Sequence, residues 1–418
     1  MNAPPIKYKP YSASSFRHSP KYNLLPEDYQ KEFDIITSVL PFKSNSYVLN
    51  ELINWEGDFT KDPIFRLNFP TVAQLEPYEY ELFTTMYNNN KSVKEIRDAF
   101  TQLNSVKMAA DEDEEAVTYV PKLDGKYLSG LSHQFPRTMQ VFPKAASTCH
   151  AYCSYCFRWQ FFAIDELDFS YSDPQLPVEY LKRTPAVSDI LITGGDACFM
   201  RSKKMREFVQ PYLEVESVKT IRLATKALGW WPYRFTTDSD AEDLLNVMRG
   251  IQEAGKHCTV MAHFTHPREL QTEAVKEAVA RIQETGAVIR AQGPIVRGIN
   301  DSAEIWQEMW ERQIELGMIP YYMFLESSVG LGDGAKLTLA KALDVFQKAQ
   351  RKMSGLAKTI SGPVFSNGKQ KVLVDGVIEV GGEKKFALKC LQSPITEEIG
   401  TIKLIDYDEE LYDINIQF

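Results

Sequence analysis

Between residues 189 and 324 short apolar runs alternate with amphipathic stretches, and this alternation restricts the fold more than any other feature of the chain. Asp189-Ile190-Leu191-Ile192-Thr193 reads as a buried strand, followed by a helix over 204–215 and a strand over Thr220–Thr225. The rhythm repeats: helix 241–254 then strand 257–264, helix 273–286 then strand 287–292, helix 302–317 then strand 320–324. Buried strands separated by helices predict a parallel sheet with right-handed crossovers. Polar residues gather just after each strand, where parallel α/β barrels and open sheets hold their ligands.

The flanks differ from this core. Residues 1–20 are rich in Pro, Ser, Tyr and Lys and are expected to lie extended on the surface. From Pro26 to about Phe100 the pattern is helical; Ser92-Val93-Lys94-Glu95 has the form of a capping box. The acidic run 108–115 reads as a solvated loop between this region and the core. After about Thr359, short strands at 371–374, 376–380 and 402–405 are punctuated by Gly and Asp. The expected organisation is a mainly helical N-terminal region (1–125), an α/β core (126–358) and a small β-rich C-terminal extension (359–418) beside or over the core's mouth.

One loop carries the strongest chemical signal. Cys149, Cys153 and Cys156 are spaced C-x3-C-x2-C, and so short a loop cannot pair all three with one another. Three thiolates on one loop suit an iron–sulfur cluster. A 4Fe-4S cube with three protein ligands keeps one iron open for an exogenous ligand. Structural zinc is the alternative, but it takes four protein ligands from paired cysteines, and Cys198, Cys258 and Cys390 are isolated. Downstream, Gly194-Gly195-Asp196 ends the first strand of the alternation. Glycines there let the backbone approach a ligand closely.

Composition narrows the setting. A net charge of −9 opposes a general nucleic-acid binder, which needs a basic face. No apolar run reaches about twenty residues, so no membrane span is expected. Met1-Asn2-Ala3-Pro4-Pro5 lacks the charged-then-apolar form of a signal peptide. Six cysteines in 418 residues are no disulfide framework, and a reduced cytoplasm is the expected compartment.

The cysteine loop, with aromatic Tyr155 before its last cysteine and Gly194-Gly195-Asp196 following, resembles the radical S-adenosylmethionine (SAM) superfamily. The resemblance implies a partial (β/α)6 barrel and a cluster whose open iron binds the amino and carboxyl groups of SAM. Reductive cleavage of SAM then gives a 5′-deoxyadenosyl radical that abstracts a substrate hydrogen. It implies Cys149, Cys153 and Cys156 as metal ligands, Gly194, Gly195, Asp196 and more weakly Gln292 as SAM contacts, and an electron donor such as flavodoxin or ferredoxin.

Further stretches resemble the lysine 2,3-aminomutase family: Leu191 to Cys198 (LITGGDAC), His263-Phe264-Thr265-His266-Pro267, Val296 to Asp301 (VRGIND) and Pro320-Tyr321-Tyr322, in that order. In that family pyridoxal 5′-phosphate (PLP) forms an imine first with a protein lysine, then with the substrate amine. A substrate radical moves nitrogen from the α to the β carbon. The resemblance marks Lys369, in Ser366-Asn367-Gly368-Lys369, as the PLP lysine and Arg158 as the holder of a substrate carboxylate. Against Lys369 stands an ordinary Asn-Gly turn, with Lys371 close by.

This sequence departs from the family at its substrate and PLP contacts. Only Gly368 precedes the lysine, where the family has several consecutive glycines. One aspartate that holds the lysine substrate's ammonium is replaced in Leu325-Glu326-Ser327, and the other falls on Gly362. Gln134, with Arg137 or Thr138, stands where arginines hold the PLP phosphate, and Trp159 replaces a further arginine. The reading is a radical SAM isomerase, aminomutase-like, acting on a small amino-acid-like substrate other than lysine; a homo-oligomer is compatible with it. Two alternatives remain: a PLP-independent radical SAM enzyme on another small molecule or a peptide, and a non-catalytic metal-binding scaffold.

Overall fold

The computed structural model describes residues 7–111, 119–156, 158, 169–325, 336–412 and 418, with side chains at all of these except 104–111. Trp159, Glu326 and residues 112–115 of the acidic run lie outside the described residues. The chain forms two compact units: Met1–Thr118 with His150–Asp168 and Val329–Ala335, and Tyr119–Cys149 with Phe169–Ser328 and Lys336–Phe418. No described helix is long and apolar enough to cross a membrane.

The first unit is built on aromatic rings. Phe33 lies 5.5 Å from Phe16 and 5.0 Å from Phe42, and Phe65 stacks on Phe69 at 4.2 Å. Offset and edge-on ring pairs add to the burial of their large apolar surface. Helices Glu27–Ile36, Pro63–Asn68, Pro77–Asn88 and Val93–Asp111 carry many of these side chains. Ser92 and Glu95 form the expected reciprocal cap, at 2.8 and 3.2 Å. The N-terminal stretch is not merely extended: Ala13–Arg17 is a helix whose Phe16 is fully buried in the ring cluster. A single Phe among Ser residues gave too little periodicity to reveal it. The last helix runs through Asp111, into the stretch read as loop.

The second unit contains the expected parallel sheet. Its eleven strands are numbered here in chain order: β1 Leu131–Phe135, β2 Thr138–Val141, β3 Asp189–Ile192, β4 Thr220–Thr225, β5 His257–His263, β6 Val288–Ile295, β7 Ile319–Leu325, β8 Ser361–Ser366, β9 Lys371–Val380, β10 Glu383–Gln392 and β11 Ile402–Asp406. Their order in the sheet is sequential from β1 to β11, so the sheet is open and not a closed barrel. Strands β2 to β8 are parallel. The hairpin strand β1 and the C-terminal strands β9, β10 and β11 pair antiparallel at the two ends. The C-terminal strands thus continue the core sheet.

Six helices connect the parallel strands: α1 Leu176–Arg183, α2 Ser202–Leu213, α3 Ala241–Glu253, α4 Glu273–Gln283, α5 Ala303–Glu315 and α6 Leu339–Lys352. The side chains of Thr272, Ser302 and Thr338 cap three of them by accepting from backbone N–H groups. Sequential order with right-handed crossovers puts the helices on one face. Burial alternates accordingly: Ile190, Ile221, Leu223, Ile289 and Ala291 are buried in the core, while Asp189, Arg222, Arg290 and Gln292 are only half-buried on the opposite face.

Phe33→Ala tests the first unit's core. The deletion removes a fully buried ring, and a loss of about 3–5 kcal/mol is expected. Chemical denaturation monitored by near-ultraviolet circular dichroism measures it; a shift below about 1 kcal/mol would show that the cluster repacks.

Candidate active site

The cysteine loop is held by its backbone. In the first unit, Tyr152 N–H donates to the Lys43 carbonyl at 2.9 Å and Ser154 N–H to the Leu67 carbonyl at 2.8 Å. Asn68 Nδ2 donates to the Tyr152 carbonyl at 2.8 Å, Asn45 Nδ2 to the His150 carbonyl at 3.1 Å, and Gln74 Nε2 to the Ser154 carbonyl. These residues follow directly on the aromatic cluster, which makes that cluster the loop's foundation. Cys149, Cys153 and Cys156 are half-buried and in no disulfide, and thiolates are the donor type a cluster takes. Cys149 belongs to the second unit and the other two to the first. Among the described residues no three His, Cys, Asp or Glu side chains stand together as a metal-binding group. Arg158 is half-buried in the first unit.

Within the second unit the start of the same loop meets the end of β3. Gly195 and Asp196 N–H both donate to the Ala146 carbonyl, at 2.8 and 3.1 Å. A Cβ on Gly195 would come within 2.6 Å of the Thr148 backbone, so only glycine permits this approach. Gly194 adopts φ +131°, a conformation that suits glycine. With the Gly195 and Asp196 amides engaged, it is the carbonyls of this turn that suit a ligand's amino group.

Asp196 faces protein. Its buried carboxylate accepts from Cys198 N–H at 2.8 Å, Thr225 Oγ1 at 2.7 Å and Lys226 N–H at 2.8 Å. Burial raises its pKa to about 6, against the pull of these donors. The side chain therefore ties β3 to β4. The tie continues. Lys226 Nζ donates to Glu269 Oε2 at 2.6 Å and to Thr265 Oγ1 at 3.2 Å, and lies 4.7 Å over the Trp230 ring. Glu269 Oε1 accepts from the Thr265 and His266 amides at 2.7 and 2.9 Å. Asn300 Nδ2 donates to the Thr265 and Pro294 carbonyls at 2.8 and 2.9 Å, while its Oδ1 accepts from Val296 N–H at 2.6 Å. A continuous buried network thus joins the ends of β3, β4, β5 and β6. The H-F-T-H-P and R-G-I-N-D stretches serve it. Arg297 bonds the Tyr412 hydroxyl at 3.2 Å, with no ion pair to Asp301. Burial and the Lys226 charge push His263 well below the usual imidazole range, which keeps it neutral.

Sequence reasoning missed Thr225, Lys226, Glu269 and Asn300 as a set. The partners lie far apart in the chain, and no local spacing reports them.

The face opposite the helices is polar. The Pro320-Tyr321-Tyr322 stretch holds a register shift against β6, where Ala291 faces Pro320 and Gln292 faces Tyr322. This bulge brings the sequence neighbours Tyr321 and Tyr322 together, with ring centroids 4.0 Å apart. Arg290 stands 5.4 Å from the Tyr321 ring and forms no ion pair among the described residues. Arg222 is bound by Asp189, which also accepts from Thr138 Oγ1 at 2.8 Å. Lys371 Nζ lies over three rings: Tyr322 at 5.1 Å, Phe324 at 5.7 Å and Phe135 at 6.0 Å. Desolvation, then the Arg222 charge, lower its pKa to about 8. Gln292, in register with Tyr322, shares this face and is half-buried.

The positions expected to hold a PLP phosphate are otherwise engaged. Gln134 Nε2 donates to the Gly368 and Lys369 carbonyls at 2.6 and 2.9 Å and so fixes the turn that carries Lys369. Thr138 serves Asp189, and Arg137 is exposed. An acidic group at position 362 is excluded: a Cβ there would stand 2.8 Å from Met323 Cβ and 2.9 Å from the Phe346 ring.

No family model matches the chain. It is 28% identical over 80% of its length to a protein named "Putative L-lysine 2,3-aminomutase" from Aquifex aeolicus, covering 78% of that protein. It is 26% identical over 54% of its length to an L-lysine 2,3-aminomutase from Fusobacterium nucleatum, of which it spans about half (51%). A radical SAM methyltransferase from Sphaerobacter thermophilus superposes with TM-score 0.38 at 14% identity, over 57% of this chain and 69% of that one. By sequence the chain is thus similar to proteins named L-lysine 2,3-aminomutase.

The network makes two measurable demands. Glu269→Ala strands a buried ammonium and two buried amides, so stability should fall by about 3–5 kcal/mol in chemical denaturation. A loss under about 1 kcal/mol would deny the network its bracing role. Asp196→Asn removes a buried charge yet sets an amide N–H₂ against backbone donors; a net loss of about 1–3 kcal/mol is expected. A stabilised variant would show that the buried charge outweighs its bonds.

Proposed function

We propose that the chain catalyses a radical rearrangement of a small amino-acid-like substrate other than lysine, using a 4Fe-4S cluster and SAM. When bound, these two groups supply the 5′-deoxyadenosyl radical. The observation that carries the reading is the apposition of Gly195 to Thr148, which seats the SAM-type turn of β3 against the first residues of the cysteine loop. Cys149, Cys153 and Cys156 supply the three thiolates. The carbonyls of Gly194 and Gly195 receive the SAM amino group, Asp196 fixes their turn, and Gln292 offers an amide from β6. Arg158 grips the substrate carboxylate bidentately. The resemblance puts the PLP lysine at Lys369. The closed environment of Gly362 argues against lysine as substrate, since one family carboxylate has no room there. A one-electron reductant of the flavodoxin or ferredoxin kind is the expected partner.

The engagement of Gln134 and Thr138 favours a second reading, a radical SAM enzyme that works without PLP. PLP binding to the purified protein separates the two.

Anaerobic reconstitution tests the shared part. The protein should hold a cluster and cleave SAM to 5′-deoxyadenosine under reduction. Cys153→Ala leaves two protein ligands and should lose both properties, while Cys390→Ala keeps them. Full iron and SAM cleavage in Cys153→Ala would refute the assignment. Arg158→Lys should retain the cluster and SAM cleavage but lose most substrate turnover, because an ammonium cannot copy the planar fork. Unchanged turnover would remove Arg158 from the substrate site.

A further inference from the structure

We infer that Lys371, rather than Lys369, is the amine that condenses with the aldehyde of PLP, on the sheet face that Arg290 leaves cationic. The inference rests on the PLP-dependent reading above and moves its covalent site by two residues.

The argument begins with what surrounds each amine. Lys371 opens β9 directly opposite Ser366 at the end of β8. Its Nζ is caged by Tyr322, Phe324 and Phe135, and no carboxylate pairs with it among the described residues. Lys369 has neither ring contact nor ion pair among the described residues. Its turn is set instead by backbone bonds: the Lys369 and Gln370 amides donate to Asn367 Oδ1 at 3.1 and 2.6 Å, and Gln134 holds the Lys369 carbonyl at 2.9 Å. That is an Asx-type turn, which needs no catalytic role for the lysine it carries.

A half-buried amine between rings is disfavoured as a cation unless a carboxylate answers it. Here the charge that bears on it is another cation, Arg222, whose carboxylate partner Asp189 already receives two guanidinium N–H bonds. The surroundings therefore raise the share of neutral amine, the form that attacks a carbonyl. A fall from 10.5 to about 8 raises the neutral fraction near neutral pH about 300-fold. The rings offer a flat apolar wall for an aromatic aldehyde, as stacked pairs prefer. Arg290, unpaired beside Tyr321, meets the requirement for a group that answers a phosphate. The Tyr321 bulge brings these parts together by setting both tyrosine rings side by side.

The step balances without oxidant or reductant. The Lys371 Nζ lone pair attacks the aldehyde carbon, a C=N bond replaces C=O, and water leaves. The substrate amine can displace Lys371 by the same exchange.

The test uses the full-length protein and PLP alone. After saturation with PLP, borohydride reduction and proteolysis, fragment spectra locate the phosphopyridoxyl group. We expect it on Lys371, with a trapping rate that rises through about pH 8. Lys369→Ala should keep label and visible band, and Lys371→Arg should lose both while retaining its circular dichroism and thermal transition. Wild-type mapping decides the matter even if a variant fails to fold. Label on Lys369 with Lys371 unmodified overturns the inference and leaves the PLP-dependent reading standing. No specific label on either lysine, with SAM still cleaved, overturns both in favour of the PLP-independent enzyme.

Discussion

The buried ion pair of Lys226 and Glu269 is the interaction on which the site's frame depends. Both side chains are buried, so each charge must be satisfied inside the protein. The satisfaction is nearly complete: Glu269 uses one oxygen for the ammonium and the other for two backbone amides. Parallel strands bury their backbones but leave the loops at their carboxyl ends free to differ. The chain of Asp196, Thr225, Lys226, Glu269 and Asn300 removes that freedom across four strands. Gly229 shows how tightly this is built, since a Cβ there would stand within bonding distance of Glu269 Oε2. Rigid strand ends are what a radical reaction needs, because the radical must meet one hydrogen and no other.

A second constraint acts on the cysteine loop from its backbone. Six residues of the loop, 149–154, hold no regular element, yet the carbonyls of His150, Tyr152 and Ser154 each receive a side-chain amide. Side-chain amides from Asn45, Asn68 and Gln74 stand in for the ladder that a strand would have supplied.

The sequence revealed what short-range periodicity encodes. Five strands and their helices from Asp189 onward were legible, because alternating strand and helix lengths leave a clear signature, and so was the Ser92 cap. The cysteine loop and Gly194-Gly195 were legible because spacing and lack of side chains are local properties. Strands β1 and β2 were hidden by Pro136 and Arg137 between them, and β10 by its exposed lysines. Asp196, read as a SAM contact that could also order its turn, braces two strand ends through its bonds. The Lys226 to Asn300 network was invisible, because each partner comes from a different strand end. Lys371 was mentioned only as a neighbour of Lys369, since its cage is made by residues 135, 322 and 324.

The face opposite the helices carries an excess of positive charge. Around Tyr321 and Tyr322 stand Arg222, Arg290 and Lys371, with the carboxylate of Asp189 paired to Arg222. Such a face repels a second ammonium and attracts carboxylate or phosphate, and partial burial strengthens both effects. The closed packing at Gly362 acts in the same direction by removing the space an acidic clamp would need. The cations lie on the face away from the helices, whereas Gly362 packs toward Phe346 of α6. The cationic residues and the network at the strand ends are thus separate groups of side chains on the same sheet, and one can change without dismantling the other.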